Sequence, residues 1–270
     1  MFSYYFKKLF SFIYKSICDP KYFLGYYELH KISKIPRFKK GHTNLLGNDL
    51  IFADSASFIA TYKEIFKKEI YKFKSRSTHP YIIDCGANIG LSIIYFKKLY
   101  PEAKITAFEP DKTIFEILKY NIRSFNLNDV EIIPKGLSNE ESRQNFFSEG
   151  ADGGRIALPE DKDNIIEIKT IPLIHYLQKP VDMLKIDIEG AEYAVIENCK
   201  NYLYNVSHLF IEYHSFINKS QNLDEILKIL SINGFRYYID YSGGALSSPF
   251  IQRKNNLGMD LQLNIFAYKK

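Results

Sequence analysis

Apolar residues from position 81 onward follow two alternating periods along the chain. Short apolar runs predict strands, and apolar positions at helical spacing predict the helices between them. The strands are predicted at 81–85, 104–109, 130–133, 181–187 and 208–213, and the helices at 91–99, 111–125 and 191–204. Two further strand candidates, 235–241 and 260–268, are joined by a helix-poor stretch, so we expect them to form an antiparallel edge. The pattern predicts an α/β fold, a Rossmann-like three-layer sandwich with a mostly parallel seven-stranded sheet.

The first 75 residues show a different pattern. Apolar residues recur at helical spacing, with polar residues opposite, at Phe2, Phe6, Leu9, Ile13 and Ile17. A hairpin is predicted over 43–53, with its turn at Gly47-Asn48, and a helix is predicted over 55–74. We therefore divide the chain into an N-terminal extension, residues 1–75, and a main domain, residues 76–270.

Basic residues are concentrated in this extension. Residues 1–80 contain 15 Lys or Arg and 6 Asp or Glu, whereas the rest of the chain contains 21 and 25. Residues 1–30 also contain 11 Tyr or Phe. A basic, aromatic, amphipathic helix is typical of segments that lie on membranes, so we expect peripheral membrane contact through residues 1–40. The alternative is that its apolar face packs on the domain or on a second subunit. The slightly acidic remainder argues against a nucleic-acid partner.

No other targeting signal is evident in the sequence. The uncharged runs are far shorter than the roughly 18 to 20 apolar residues that a transmembrane helix requires. The apolar stretch over 9–14 is too short for a signal peptide. The three cysteines, Cys18, Cys85 and Cys199, include no CxxC pair, so we expect neither a disulfide framework nor a zinc site. These features together predict a cytoplasmic protein.

The turn after the first strand of the domain carries the clearest chemical signal. In an open parallel sheet, ligands bind at the carboxyl ends of the strands, where the first strand-to-helix turn contacts them. Here the turn reads DCGANIG, with Gly86 and Gly90 allowing the backbone to approach a ligand closely. It lacks the GxGxxG fingerprint of dinucleotide-binding turns, which argues against a dehydrogenase. Glu109, 19 residues after Gly90, ends the second strand, where a carboxylate can accept both hydroxyls of a ribose.

Each of these residues also has a purely structural explanation. Asp84 could cap the following helix, the glycines could serve packing, and Glu109 could begin a helix. Their combined spacing favours a ligand that contains adenosine but no pyrophosphate. A cofactor with positively charged ammonium and sulfonium groups would be favoured by the nearby Asp84. The sequence therefore predicts S-adenosylmethionine as the cofactor.

Several longer motifs resemble a known family. The segments IIDCGANIGLSIIYF, AFEPD, VDMLKIDIEGAEYAVIENC and LFIEYH are similar to those of the FkbM family of S-adenosylmethionine-dependent methyltransferases. The resemblance covers about residues 58–215 and implies a class I methyltransferase fold. Cys85 departs from the small or aliphatic residue that is common in the family, and the chain after His214 shows little similarity.

The resemblance also implies a set of cofactor contacts. Gly86, Asn88 and Gly90 would line the methionine end of the cofactor, while Asp84 would support its amino group. Glu109 would hold the ribose, as the spacing also indicates. Gly136, in the turn after the third strand, lies where such enzymes usually contact adenine.

Polar residues at the ends of two later strands are candidates for catalysis. Asp187 ends one strand, and Glu212 and His214 share one side of the next, so all three are expected at the same rim. Together they could deprotonate a hydroxyl. They could also bind Mg²⁺ or Mn²⁺, although we predict no resident metal. The alternatives are that Asp187 caps a helix and that His214 is a surface residue.

Two loops, 149–155 and 242–258, are expected to shape the pocket for the methyl acceptor. Their basic residues, which include Arg253 and Lys254, could meet phosphate or uronate groups or could simply be solvated. The sequence and the resemblance together predict O-methylation of a sugar hydroxyl in a glycan or glycolipid. The alternative from another class is a non-catalytic, nucleoside-binding adapter at a membrane.

Overall fold

The computed structural model describes residues 20–242, 248, 250–251 and 258–269, with side chains from residue 24 onward. The α-helices are α1 (Pro20–Ile32), α2 (Ser55–Tyr62), α3 (Leu91–Leu99), α4 (Lys112–Ser124), α5 (Glu192–Cys199) and α6 (Leu223–Ile232). The strands are β1 (Gly41–Thr43), β2 (Leu50–Phe52), β3 (Tyr81–Cys85), β4 (Lys104–Phe108), β5 (Val130–Ile133), β6 (Gly136–Ser138), β7 (Ser142–Phe147), β8 (Arg155–Ile156), β9 (Ile165–Pro172), β10 (Val181–Ile186), β11 (Val206–Phe216), β12 (Arg236–Tyr241) and β13 (Met259–Tyr268). The amphipathic helix predicted within residues 2–17 lies outside the described residues, as do Arg253 and Lys254.

A seven-stranded sheet forms the centre of the protein, in the order β12-β13-β11-β10-β3-β4-β5. Strands β11, β10, β3, β4 and β5 pair in parallel. Strand β13 pairs antiparallel with both β11 and β12, so the antiparallel strand lies one position inside the edge. This confirms the predicted Rossmann-like α/β fold. The chain leaves β3 toward β4 on one side and returns to β10 on the other, so a ligand crevice is expected between β3 and β10.

Apolar residues fill the space on both faces of this sheet. On one face, helices α2, α3 and α4 bury residues such as Phe58, Phe96 and Leu118. On the other face, α5 and α6 bury Val195 and Leu230 against the strands. The three layers follow from this arrangement, because each helix turns its apolar side toward the sheet. Helix α6 was not among the elements predicted from the sequence.

The extension packs against the main domain along its described length. Strands β1 and β2 form the predicted hairpin, and the side chain of Asn121 in α4 bonds both the N–H and the C=O of Ile51. Phe58 and Tyr71 belong to the same apolar cluster as Phe96 of the domain. The boundary after residue 75 stays a prediction, but the hydrophobic core is continuous across it.

Helix α2 is shorter than the predicted helix over 55–74. It begins at Asp54, whose side chain accepts the N–H of Ser57, and it continues as a π-helical turn that ends at Lys67. A π-helical turn is uncommon and often lies at a functional site. The chain then reverses at Glu69, which has a positive φ of 54°.

A second, four-stranded sheet was not predicted from the sequence. Strands β6, β9, β7 and β8 form it between β5 and β10, with β6 and β9 parallel and the other pairs antiparallel. Its strands are short or carry polar residues, so their hydrophobic pattern is weak. The sheet matters for function because the loop between β7 and β8 reaches the crevice described below.

Candidate functional site

A cleft of about 420 Å³ opens at the carboxyl ends of β3, β4, β10 and β11. One wall is the glycine turn after β3, and the opposite wall is helix α2 with its π-helical turn. The sequence-predicted residues that line this cleft are Gly86, Asn88, Glu109, Gly136, Asp187 and Glu212. The structure therefore brings four of the six predicted cofactor contacts and two predicted catalytic residues into one cavity.

Gly86 is required by the close approach of two strand ends. Its φ is +87°, and a Cβ at this position would lie 1.8 Å from the carbonyl oxygen of Asp187. The N–H groups of Gly86 and Ala87 both donate to the carbonyl of Phe108, at 3.1 and 2.8 Å. These contacts hold the turn against both β4 and β10, so its backbone forms one wall of the cleft.

Glu109 joins the glycine turn to the start of helix α4. Its Oε2 accepts the N–H of Asn88 at 3.0 Å, and its Oε1 accepts the N–H of Asp111 at 2.9 Å. Burial raises the pKa of Glu109 to about 8. Each carboxylate oxygen retains a second lone pair, so the group can also accept hydroxyls from a ligand in the cleft.

Asp84 and Gly90 occupy positions behind the cleft surface. Neither is among the described residues that line the cavity. Asp84 is fully buried, and its Oδ2 accepts the hydroxyl of Ser92. A Cβ at Gly90 would lie 2.8 Å from Leu118, so this glycine allows α3 and α4 to pack closely. Both residues pack behind the turn, and their contact with a cofactor stays a prediction.

Lys185 is a buried cation between two carboxylates. Its Nζ lies 3.2 Å from Asp84 Oδ1 and 3.3 Å from Asp187 Oδ2, and it donates to the carbonyl of Gly86 at 2.8 Å. Burial alone would lower the pKa of Lys185, but the two carboxylates outweigh it and raise the pKa well above its usual value. Lys185 therefore connects the glycine turn to Asp187 at the rim. Asp187 is held by this pair rather than as a helix cap.

The three predicted catalytic residues do converge. Asp187, Glu212 and His214 offer side-chain N or O atoms that all lie within 4.8 Å of one another. Glu212 lines the cleft, whereas the ring of His214 is fully buried behind it. His214 is therefore a buried core residue of the site and not the surface residue considered as an alternative.

His214 is surrounded by carboxylates that the sequence analysis did not select. Its Nδ1 donates to Glu192 Oε1 at 3.0 Å, and its Nε2 lies 3.5 Å from Glu189 Oε2. Burial alone would lower the pKa of His214, but Glu189 and Glu192 raise it well above its usual value. Burial also raises the pKa of Glu189 to about 8 and that of Glu212 to about 7. These groups form a buried cluster that can exchange protons near neutral pH.

The extension supplies a wall of the cleft that sequence reasoning missed. Ser57, Thr61 and Glu64 of α2 and its π-helical turn line the cavity opposite the sheet. Burial raises the pKa of Glu64. The N-terminal extension therefore takes part in shaping the site. The segment resembled the family upstream of its domain, but no single residue in it signalled a role.

Part of the loop between β7 and β8, including Gly150, Ala151 and Asp152, lines the cavity. That this loop shapes the pocket for the methyl acceptor stays a prediction. The Oγ of Ser57 donates to Asp152 at 2.6 Å, and the side chain of Asn88 donates to the carbonyl of Ala151 at 3.0 Å. Arg155, at the start of β8, pairs with Asp161 and lowers the pKa of the Asp161 carboxyl.

The cleft has an acidic lining. Among the described lining residues, the carboxylates outnumber the lysines, Lys135 and Lys185, by eight to two. Lys185 is already paired with two carboxylates. This lining favours positively charged ligand groups over phosphate or uronate groups.

Comparisons with known proteins show sequence similarity to methyltransferases. A family model described as "Methyltransferase FkbM domain" matches residues 84–237. The methyltransferase sdnD of Sordaria araneosa is 30% identical over 193 residues, which cover 55% of this chain and 74% of that protein. The 2-O-methyltransferase NoeI of Sinorhizobium fredii is 25% identical over 155 residues, covering 50% of this chain and 63% of that protein. A crystal structure of a methyltransferase FkbM from Methylobacillus flagellatus is 18% identical with a TM-score of 0.47, covering 72% of this chain and 45% of that one.

Proposed function

The chain belongs to the FkbM family of methyltransferases, and on this basis we propose that it transfers a methyl group from S-adenosylmethionine to a sugar hydroxyl in a glycan or glycolipid. One observation carries the proposal. The glycine turn, Asp187, Glu189 and Glu212 line a single cleft, and His214 lies buried directly behind these acids. A cofactor held on the turn would thus face groups that can remove a proton from an acceptor.

The residues of the turn fit the cofactor. Gly86 lines the cavity, and Glu109 has lone pairs available for the two ribose hydroxyls. The acidic lining favours the positive charges of the ammonium and sulfonium groups. When bound, S-adenosylmethionine supplies an electrophilic methyl group attached to a positively charged sulfur.

Oxygen is the proposed acceptor atom because the cluster can take up a proton. A hydroxyl must lose its proton as its oxygen bonds the methyl carbon, while the electron pair of the broken C–S bond remains on sulfur. Glu189 and Glu212 line the cleft, and their pKa values of about 8 and about 7 suit proton transfer near neutral pH. That a relative is named a 2-O-methyltransferase supports the same choice.

Radiolabelled transfer tests this proposal. Purified full-length protein is incubated with S-adenosylmethionine tritiated in its methyl group and with neutral, amino and acidic glycans. We expect label in a neutral or amino glycan. Asp187→Asn should retain cofactor binding and lose transfer, whereas Glu116→Gln, on the surface of α4, should behave like the wild type. Cofactor binding without transfer to any acceptor would favour the non-catalytic adapter instead.

We also propose that residues 1–40 bring the protein to an anionic membrane, where a lipid-linked glycan would be accessible. Helix α1 exposes Leu24 and carries the basic residue Lys31 in its last turn. A second basic residue, Arg37, follows the helix. Within the described part of the chain, no helix has the length and apolar character needed to cross a bilayer. Leu24→Glu should weaken sedimentation with phosphatidylglycerol vesicles. Ile232→Glu, an equally drastic change at an exposed residue of α6, should not; equal binding by all three proteins would contradict the anchor.

A further inference from the structure

Asp187, Glu212 and His214 have the chemistry of a divalent-cation site. Two carboxylates and one imidazole come from adjacent parallel strands and offer ligand atoms within 4.8 Å of one another. Carboxylates suit Mg²⁺, Ca²⁺ and Mn²⁺, while imidazole suits the later transition metals, so a mixed set of this kind fits Mn²⁺ well. We propose that these three residues bind a divalent cation of the Mn²⁺ or Mg²⁺ class.

A fourth residue, outside this ligand set, orients the imidazole. Glu192 is almost fully buried, and its Oε1 accepts the Nδ1–H of His214 at 3.0 Å. The same oxygen accepts the N–H of Gly190 at 2.9 Å, which fixes the carboxylate. A histidine that binds a metal almost always donates its other ring N–H to a carboxylate, carbonyl or water in this way. Glu192 therefore directs Nε2 of His214 toward the other two ligands.

The contacts of Nε2 agree with a ligating nitrogen. The amide nitrogen of Gln262 lies 3.4 Å from it and 2.6 Å from Glu212 Oε1. In the neutral tautomer that carries its proton on Nδ1, Nε2 can accept this amide N–H and has the lone pair that a metal ligand needs. The carboxylates around His214 favour its protonated form, so an ion that binds Nε2 must displace that proton. Glu212 Oε1 lies 3.9 Å from Nε2, a separation that one ion between them can bridge.

The three side chains must draw closer together to complete the site. Neighbouring ligand atoms about 2.1 Å from an octahedral ion lie about 3 Å apart, so pairs that are no more than 4.8 Å apart must close by at most about 2 Å. Asp187 has the most exposed side chain of the three and can supply that movement by rotating its carboxylate.

The part played by the ion in methyl transfer rests on the proposed function, whereas its binding does not. A cation at this position would place positive charge beside the acceptor oxygen and make its hydroxyl more acidic. With Glu212 as a ligand, the hydroxyl proton passes to solvent at the mouth of the cleft. The bond from oxygen to the methyl carbon then forms as the C–S bond breaks, with its electron pair left on sulfur.

Titration of the full-length, chelator-treated protein with Mn²⁺ alone tests the site, with free Mn²⁺ measured by electron paramagnetic resonance. We expect saturable binding of one ion per chain. His214→Gln and Asp187→Asn should weaken it more than 10-fold, and Glu192→Gln should weaken it about 10- to 100-fold. Glu116→Gln removes an exposed carboxylate of α4, outside the cleft, and should change the affinity less than twofold.

Two outcomes would overturn the proposal. One is the absence of saturable binding, and the other is an equal loss in Glu116→Gln and His214→Gln, which would indicate general attraction of cations to carboxylates of the protein. A measurement on the wild type removes any dependence on variants that fold poorly: substoichiometric Mn²⁺ should broaden the imidazole NMR signals of His214 before those of the other histidines. Methyl transfer that persists in excess chelator, with no Mn²⁺ binding, would reject the ion and leave the proposed function standing.

Discussion

Asp84 and Lys185 form a buried ion pair beneath the glycine turn, with Lys185 Nζ 3.2 Å from Asp84 Oδ1. Asp84 lies on β3 and Lys185 on β10. These two strands pair in parallel, and the two residues lie opposite each other. The pair thus joins the two strands between which the cleft opens. Its position connects the stability of the fold to the geometry of the site, because Lys185 also holds Asp187.

Removing this cation should be costly. Lys185→Met leaves two carboxylates close together with no cation between them, and we expect the free energy of unfolding to fall by about 3–5 kcal/mol. Urea denaturation measures the change. Lys31→Met breaks an exposed pair with Glu28 and should change the free energy of unfolding far less than Lys185→Met. The double variant Lys185→Met with Asp84→Asn should recover part of the loss; additive losses would argue against the pair.

Two glycines with nearly identical φ angles provide a matched test of the close approach between β3 and β10. Gly86 and Gly150 have φ values of +87° and +88°, but a Cβ would meet the carbonyl oxygen of Asp187 at the first and open space at the second. Gly150→Ala should cost about 1–2 kcal/mol from backbone strain alone. Gly86→Ala should cost at least about 2 kcal/mol more, because β3 and β10 must move apart. Thermal unfolding that showed equal losses would contradict the close approach.

Cofactor affinity should depend on pH through Glu109. Burial raises its pKa to about 8, and the ionised form is the better acceptor for two ribose hydroxyls. Ligand binding therefore favours loss of the proton, so affinity for S-adenosylhomocysteine should rise from pH 6.5 to about 8 and then level off. Isothermal titration calorimetry measures this.

A variant isolates the contribution of Glu109 from that of the other acids in the cleft. Glu109→Gln should bind S-adenosylhomocysteine about 10-fold more weakly or worse at pH 8, since it loses charge-assisted hydrogen bonds. Its affinity should also rise less with pH than that of the wild type. An unchanged pH profile in Glu109→Gln would assign the titration to another group, such as Glu189 or Glu212.

The loop between β7 and β8 should become more mobile when its contact with the extension is removed. Ser57→Ala deletes the hydrogen bond from Ser57 Oγ to Asp152. Hydrogen exchange followed by mass spectrometry should become faster at the amides of 150–154, with little change in overall stability. Ser231→Ala, which removes a hydroxyl contact to Leu227 in α6, serves as the control. Unchanged exchange at 150–154 would show that the Ser57 contact does not hold the loop.

The central sheet was predictable because its parallel strands are buried on both faces and read as short apolar runs. The strands of the second sheet were not, since β7 contains mainly polar residues and its stability comes from pairing with β9. The contact between Ser57 and Asp152 joins residues 95 positions apart, and such contacts leave no local pattern in a sequence.

The candidate site was also predictable only where the sequence pattern is local. Spacing and motif indicated Glu109 and Asp187, because each ends a strand at the rim of the sheet. Glu192 reads as an ordinary first-turn helix residue, and its role beside His214 appears only when α5 packs against β11. The ion pair of Asp84 with Lys185, a partner about 100 residues away, was not predictable from local sequence either.

The most direct test of the account is to follow the transferred carbon itself. Full-length protein is incubated with S-adenosylmethionine labelled with carbon-13 in its methyl group and with the glycan that accepts label best, and the product is examined by NMR. We predict a methyl ether signal that correlates with a sugar ring proton and is lost in Asp187→Asn. Label on nitrogen or carbon, or a product that forms equally well without Asp187, would contradict the account.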